Sequence, residues 1–317
     1  MHFVAAIYEH AAQLMGATPW AVSRDGDLLA RAHGAAFRRY GHAPVVVGID
    51  VYHVEAEAAG ATVVDMEGTP HLAGHPFTAV GELLALPPLD AARDGRLPLV
   101  LDAGSRLHDE FPLADIRIPV TGPFTLAAML LGLDNLLCDL LTEPEEVGAA
   151  LQFLAERQRG WLRAIAARGL GMVVFESAAA PPMVSPQSFS DTLLPALHTL
   201  LAGVAALTGE GAMLIQGGDT APIAEALCTL PVAHVLCPAE TDAHAFLAPW
   251  ATRPEVTVRL NLPAGVIASP HWSVIQPALD RLRTLASGRA AVCLGTGVVP
   301  YDTPPDNLLR AQAYLRG

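Results

Sequence analysis

Charged side chains are scarce in this chain, whose 317 residues are 16% charged and 52% hydrophobic. A protein this poor in charge must bury much of its surface, and a single large domain does so most effectively. The sequence also lacks a linker rich in Gly, Ser or Pro, a block of charge and an internal repeat. These absences predict one large domain, although the length alone would permit two.

A basic surplus is absent too, because the formal net charge is −13. Nucleic acids and anionic membranes select basic faces, so we expect neither as a partner. Residues 1–16 contain no basic segment of the kind that opens a signal peptide. The cysteines form no CxxC pair, which is typical of reduced thiols, and we therefore expect a cytoplasmic protein.

Uninterrupted apolar runs long enough to cross a membrane are also missing. The most apolar stretch, residues 121–141, contains Asp134, Asn135 and Asp139. The next, residues 193–207, is short and contains His198. We interpret both stretches as buried helices.

Short β-rich runs alternate with helix-length segments along most of the chain. Residues 143–167 and 274–286, for example, carry apolar side chains at the i, i+3, i+4 spacing of a helix. The predicted strands are Val45–Asp50, Leu99–Asp102, Ile116–Thr121, Met172–Glu176, Ala212–Gln216, Ala233–Cys237, Val256–Asn261 and Ala290–Gly295. Strands alternating with helices in this way predict an α/β fold, the (β/α)8 TIM barrel.

Two segments fall outside this alternation. We interpret residues 1–40 as a helical extension packed outside the barrel, which then occupies residues 41–317 as one domain. The β-like run Ala61–Asp65 is assigned to a hairpin inserted after the first predicted strand.

Polar residues at the C-terminal ends of barrel strands face the active site in this fold. That rule selects Asp50, Glu176, Gln216, Asp219, Glu240 and Asn261. Each has an alternative interpretation as a loop cap or a solvated turn residue. For Asp219, an N-cap of the helix at Ala221 is at least as well supported as a role in substrate binding.

Several segments carry a further pattern, in a fixed order from about residue 40 to the C-terminus. They are Tyr40-Gly41 with Val45–Asp50, Gly122–Ala127 with Gly132, Phe175-Glu176 through Pro195, Asn261, and Gly295–Gly297 through Asn307. In this order they resemble the uroporphyrinogen decarboxylase superfamily, and especially its corrinoid-dependent methyltransferase branch. The resemblance implies the barrel fold and an enzyme that transfers methyl groups.

The stretch Leu214–Thr220 departs from that branch at its metal ligands. The branch carries a His-x-Cys-Gly-Asn/Asp-Thr signature here, whose His and Cys bind zinc, and a third ligand, a Cys, in the closing element. In this chain those positions are Ile215, Gly217 and Gly297. Zinc in these enzymes activates a thiol. The resemblance therefore implies a zinc-free site, and a metal site rebuilt from other residues, such as His234, is the less favoured alternative.

The decarboxylase branch is a weaker match. It recognises a tetrapyrrole with many carboxylates partly through an N-terminal arginine element, which residues 18–25 do not match. Asp242-Ala243-His244 begins like the Asp-x-His-x-x-Gly signature of cobalamin-binding domains, but the glycine is missing. The resemblance therefore implies that any corrinoid is carried by a separate partner protein.

The candidate residues suit methyl transfer in different roles. Glu176 follows an apolar strand and is the first candidate for the acid that protonates a leaving heteroatom, because desolvation raises the pKa of a carboxyl. Glu240 is the second. Gln216 and Asn261 suit the orientation of a neutral polar substrate, since an amide both donates and accepts hydrogen bonds.

Three further residues are assigned to substrate binding. Asp50 ends the first predicted strand, and Asp219 follows two glycines that allow close backbone approach. Tyr301 lies in a proline-rich loop after the last strand, where it would close over the pocket.

We therefore predict a methyltransferase that moves a methyl group between a small O- or N-methyl compound, or another acceptor, and a separate corrinoid protein. Two alternatives stay open. One is a lyase related to uroporphyrinogen decarboxylase that acts on a carboxylated or tetrapyrrole substrate, and the other is a non-catalytic barrel that binds a small molecule. The apolar composition is also compatible with a homodimer.

Overall fold

Ten strands are found in residues 2–316, which are the residues that the computed structural model describes. In chain order they are β1 (Phe3–Ala6), β2 (Val45–Val46), β3 (Val63–Met66), β4 (Thr69–Leu72), β5 (Ile116–Thr121), β6 (Gly171–Phe175), β7 (Ala212–Ile215), β8 (Val232–Cys237), β9 (Thr257–Leu262) and β10 (Val292–Val298). Eight of them form one parallel sheet in the order β1-β10-β9-β8-β7-β6-β5-β2. The sheet curls into a nearly closed (β/α)8 barrel, as predicted.

Helices surround the sheet and connect its strands. In chain order they are α1 (Glu9–Gln13), α2 (Pro19–Arg24), α3 (Gly26–Tyr40), α4 (His53–Ala58), α5 (Leu97–Glu110), α6 (Pro123–Leu131), α7 (Leu133–Thr142), α8 (Pro144–Arg157), α9 (Arg159–Ala166), α10 (Pro186–Ser188), α11 (Leu194–Thr208), α12 (Ala224–Leu227), α13 (Ala243–Leu247), α14 (Ala264–Ile267), α15 (Trp272–Ala286) and α16 (Pro305–Arg316). Because the barrel strands are parallel, their carboxyl ends meet at one end of the barrel.

The two faces of the sheet belong to different hydrophobic clusters, since successive side chains of a strand face opposite ways. The cluster inside the barrel contains Ala6, Val46, Val173, Phe175, Met213, Ile215 and Leu236. The larger cluster between sheet and helices contains the alternating residues Val174, Leu214 and Val235. Both faces are therefore buried, as is usual in an all-parallel sheet.

The prediction for the start of the barrel was wrong in two places. Residues 3–6 form β1, which pairs with β10, so the segment 1–40 supplies a barrel strand as well as helices. Leu99–Asp102, predicted as a strand, lies inside helix α5. A run of three apolar residues and Asp102 does not distinguish the strand period from the helix period, whereas the buried residues Leu97, Val100, Leu101 and Leu107 follow the helical spacing.

The other predicted strands are confirmed, with ends shifted by a few residues. The hairpin after the first predicted strand is also confirmed, because β3 pairs antiparallel with β4. A helical segment at residues 186–208 has the length and composition of a membrane span. Within it α11 buries Ala196, Leu197, Leu200, Leu201 and Val204, in agreement with the prediction of a buried helix.

Candidate active site

A cavity of about 250 Å³ opens where the carboxyl ends of the barrel strands meet. Its polar lining residues are Tyr8, Tyr52, Ser177, Glu240, Arg259, Asn261 and Thr296. Its apolar wall includes Phe175, Ile215 and Leu236 from inside the barrel. Convergent polar groups in an apolar cavity at this end of a TIM barrel define the candidate active site.

Strand β9 contributes Arg259 and Asn261, which are two residues apart and so lie on the same face of the strand. Both are buried, with 4% and 6% of their surface exposed. The Arg259 Nε and the Asn261 Oδ1 have no hydrogen-bond partner. Gly295, paired with Asn261 on β10, leaves room for both, since a Cβ there would lie 2.8 Å from Arg259 Cδ and from Asn261 Oδ1.

His234, on the neighbouring strand β8, is influenced by Arg259. Burial, and then the positive charge of Arg259, lower the pKa of His234 to about 3. The imidazole is therefore neutral at physiological pH, and its Nε2 has no hydrogen-bond partner. Arg259 therefore places a positive charge inside the barrel, and within residues 2–316 it forms no ion pair with a carboxylate.

Two tyrosines form another wall of the cavity. The Tyr52 hydroxyl is 2.7 Å from Ser177 Oγ. The rings of Tyr8 and Tyr52 each pack edge-on against Phe175, with centroids 6.1 Å and 5.7 Å away. Burial raises the pKa of both tyrosines, so at neutral pH each keeps the proton that it can donate to a bound oxygen atom.

Glu240 lies at the exposed rim of the cavity, where its Oε1 accepts a hydrogen bond of 3.1 Å from the Gly218 backbone N–H. Of the predicted site residues, Glu240 and Asn261 are the two that line the cavity. They lie beyond β8 and on β9, so the strand-end rule located both.

Glu176 lies immediately after β6 but faces away from the cavity. Its carboxylate accepts hydrogen bonds from the backbone N–H groups of Phe124 and Thr125, at 3.1 and 2.8 Å, and from the Thr125 hydroxyl. Burial raises its pKa to about 7 against the opposing effect of these bonds. The side chain joins the end of β6 to the first turn of α6.

Gln216 and Asp219 also support the loops around the cavity. Gln216 is buried and donates a hydrogen bond of 2.7 Å to the Ala179 carbonyl. Asp219 accepts a hydrogen bond of 2.6 Å from the Thr241 hydroxyl and a longer one from the Ala221 backbone N–H. The latter contact corresponds to the alternative interpretation of Asp219 as a helix cap.

Asp50 and Tyr301 are held elsewhere. Asp50 forms a two-pronged ion pair with Arg96, at 2.8 and 2.6 Å. Burial acts to raise the pKa of this carboxyl, but His53 and Arg96 together lower it below its ordinary value. The Tyr301 hydroxyl donates to the Ala17 carbonyl at 3.1 Å, which ties the last loop to the N-terminal helices.

The three positions at which the resembled branch carries zinc ligands meet in the cavity: Ile215, Gly217 and Gly297 all line it. Among the cavity-lining residues, Glu240 is the one His, Cys, Asp or Glu side chain. Residues 2–316 contain no group of three or more such side chains placed to hold a metal. This donor set does not suit zinc, which prefers three or four nitrogen, sulfur or carboxylate ligands.

Sequence reasoning missed Tyr8, Tyr52, Ser177, Arg259 and Thr296 as cavity residues. A signal existed for Arg259, since the two-residue period of a strand places it on the same face as Asn261. Tyr8 lies two residues after the end of β1, and it was missed because that strand was not predicted.

Comparisons with known proteins agree with this architecture. The family model described as uroporphyrinogen decarboxylase (URO-D) matches residues 3–314. A methyltransferase from Methanosarcina mazei superimposes with a TM-score of 0.84 and 19% sequence identity, covering 100% of this chain and 94% of that one. A B12-independent methionine synthase from Shewanella sp. W3-18-1, in complex with selenomethionine, superimposes with a TM-score of 0.55 and 10% sequence identity. That match covers 92% of this chain and 87% of the synthase. No curated protein matches the chain. At these identities the solved structures support the fold alone.

Proposed function

We propose that this chain, which belongs to the uroporphyrinogen decarboxylase (URO-D) family, is a methyltransferase. In this proposal it transfers a methyl group between a small O- or N-methyl compound, bound in the barrel cavity, and a corrinoid carried by a separate partner protein. The similarity in fold to a methyltransferase is consistent with this proposal.

One observation carries the proposal. The positions that correspond to the metal ligands of the methyltransferase branch, Ile215, Gly217 and Gly297, converge on the cavity that also holds Asn261 and Glu240. In this proposal the methyl group reacts at that position, although the zinc ligands are replaced. A methyl donor whose methyl group does not leave from, or move to, a zinc-bound thiol fits this arrangement best.

The size of the cavity limits what it can hold. A volume of about 250 Å³ corresponds to roughly eight water molecules in the liquid. A tetrapyrrole or a corrinoid ring is larger than this volume, which favours a smaller substrate. In this proposal a corrinoid on a partner protein would approach at the open mouth and would supply the nucleophile for the methyl group.

The chain's own residues would position the donor and assist its leaving group. The apolar wall of Phe175, Ile215 and Leu236 excludes water, which aids an in-line displacement. An oxygen or nitrogen that loses its methyl group gains electron density, and a hydrogen-bond donor stabilises it. Tyr8 and Tyr52 are protonated donors in the cavity, whereas the Glu176 carboxylate supports the wall from behind.

The test is a methyl-transfer assay with purified protein, cob(I)alamin and a series of small methoxy and N-methyl compounds. We expect the absorbance of methylcobalamin to appear with at least one donor, and Asn261→Ala to slow its appearance. Arg281→Gln, on an exposed position of α15, is the matched control and should leave the rate unchanged. Absence of any enzyme-dependent spectral change across the series would contradict the proposal.

A further inference from the structure

Arg259 differs from the other buried arginines in having no partner. Arg96 is paired with Asp50 and Glu57, and Arg157 donates a hydrogen bond of 2.7 Å to the Pro87 carbonyl. For Arg259, 4% exposed, no hydrogen bond or ion pair is formed with any residue in the range 2–316. The ionisable groups that interact with its charge include Tyr8, Cys293 and His234, all of which are neutral at physiological pH.

An unpaired guanidinium in a buried place is costly, because the charge loses its water without gaining an opposite charge. Natural structures keep such a group where a ligand supplies the missing partner. Arg259 lines the active-site cavity, so a ligand in that cavity can reach it. Its position on β9 before Asn261 places it deeper in the barrel than the amide.

We propose that Arg259 binds the carboxylate of the substrate at the floor of the cavity. A single guanidinium matches a single negative charge, and its planar fork matches the two oxygens of a carboxylate. The Asn261 side chain, whose Oδ1 has no hydrogen-bond partner, lines the same cavity. A phosphate dianion would call for more positive charge than this cavity provides.

The depth of Arg259 also orients the substrate. With the carboxylate at the floor, the other end of a small molecule points towards the mouth, where Gly217, Gly297 and Glu240 lie. This part of the inference rests on the proposed function, because the mouth is where a methyl group would meet a partner protein. The substrate class is therefore a small carboxylic acid that carries its methyl group on the opposite end.

Binding can be tested without assuming the natural substrate. The probes are acetate, methoxyacetate and 4-methoxybenzoate, each compared with its neutral amide at constant ionic strength. Thermal unfolding and calorimetric titration are recorded for the intact protein. We expect the acids, and not the amides, to raise the unfolding temperature and bind to one site. Arg259→Met should weaken the binding roughly 10- to 100-fold, while the exposed control Arg281→Gln should not.

A second measurement separates a binding role from a structural one. If Arg259 serves a ligand, Arg259→Met should unfold at the same or a higher temperature than the wild type when no acid is present, because an unpaired buried charge is removed. A wild-type protein that binds none of the acids, or binds the amides equally well, would overturn the inference. Acid binding without methyl transfer would uphold it and count against the proposed function. Methyl transfer from neutral donors, without a preference for acids, would support the proposed function and contradict the role of Arg259.

Discussion

The Glu176 carboxylate accepts hydrogen bonds from both the backbone N–H and the hydroxyl of Thr125, at the first turn of α6. This contact fixes the loop between β5 and α6 to the end of β6. It also holds a carboxyl group away from water, and burial raises the pKa of that carboxyl to about 7.

Glu176→Gln should therefore change how stability depends on pH. Between pH 4.5 and 7 the folded wild type keeps a proton on Glu176 that the unfolded chain releases, so stability from this group falls as pH rises. The Gln side chain of the variant does not titrate, so the variant does not lose stability through this group as the pH rises. Its free energy of unfolding, relative to wild type, should rise by about 2 kcal/mol between pH 5 and 7. Urea titrations at both pH values measure it, and an unchanged difference would place the Glu176 pKa near its ordinary value.

His42 predicts the opposite pH dependence. Its ring is buried with both nitrogens unpaired, and burial lowers its pKa to about 3. The unfolded chain binds a proton below about pH 6.5 and the folded chain does not, so stability is lost as pH falls. His42→Phe should gain about 1.4 kcal/mol over wild type when the pH drops from 8 to 5.5. Phe fits the site because His42 already packs against the rings of Phe37 and Tyr40. Denaturant titrations at the two pH values measure the free energy of unfolding. If it changed equally with pH in wild type and variant, the prediction would be wrong.

The ion pair of Asp50 with Arg96 should be important for stability. The Asp50 carboxylate is 7% exposed and accepts two short hydrogen bonds from the guanidinium. Arg96→Met leaves that buried charge with His53, 3.4 Å away, but without the guanidinium, and we expect a loss of about 3–5 kcal/mol in the free energy of unfolding. Adding Asp50→Asn to the same variant should recover part of the loss, which a double-mutant cycle measures. A loss below about 1 kcal/mol would show that the pair is screened like a surface ion pair.

Restoring the ligand residues should create a metal site. A Cβ at Gly217 or Gly297 would meet its nearest neighbours at 3.5 Å, an ordinary contact distance. The triple variant Ile215→His, Gly217→Cys, Gly297→Cys should therefore fold and bind one zinc ion per chain, with a Kd below about 1 μM. Competition with a chromophoric chelator gives the affinity, and the two-cysteine variant that keeps Ile215 is the control. A folded triple variant with no more zinc than wild type would mean that the three side chains do not converge.

Asn261→Asp should give the Arg259 guanidinium an ion-pair partner within the protein itself. Both side chains lie 2.8 Å from the point where a Cβ on Gly295 would stand, so they are close neighbours. A carboxylate at position 261 would pair with the guanidinium, raise the unfolding temperature and abolish binding of methoxyacetate. Asn261→Leu, which cannot pair, is the control for volume. Undiminished methoxyacetate binding in calorimetric titration of the Asp variant would contradict the assignment of Arg259.

The strand pattern made most of the barrel predictable. Parallel strands buried on both faces are continuous apolar runs, and those between residues 116 and 298 have few competing interpretations. Two short runs were misassigned: Phe3–Ala6 is a strand within a segment interpreted as helical, and Leu99–Asp102 belongs to a helix. In such short windows tertiary pairing decides the conformation.

The site was predictable only in part, for a related reason. The strand-end rule located Asn261 and Glu240, but it also selected Glu176 and Gln216, which face outward beyond β6 and β7. When both faces of a strand are apolar, the sequence does not show which set of alternate residues faces the barrel axis.

The sequence by itself determined the fold class, the family resemblance and the replacement of all three zinc ligands, because each depends on residue identity at a position in the chain. The tertiary structure decided which polar residues share one cavity. It turned Glu176 towards Thr125, paired Asp50 with Arg96 and placed Arg259 unpaired beside Asn261. Those outcomes depend on strand register and barrel closure, which bring together groups far apart in the sequence.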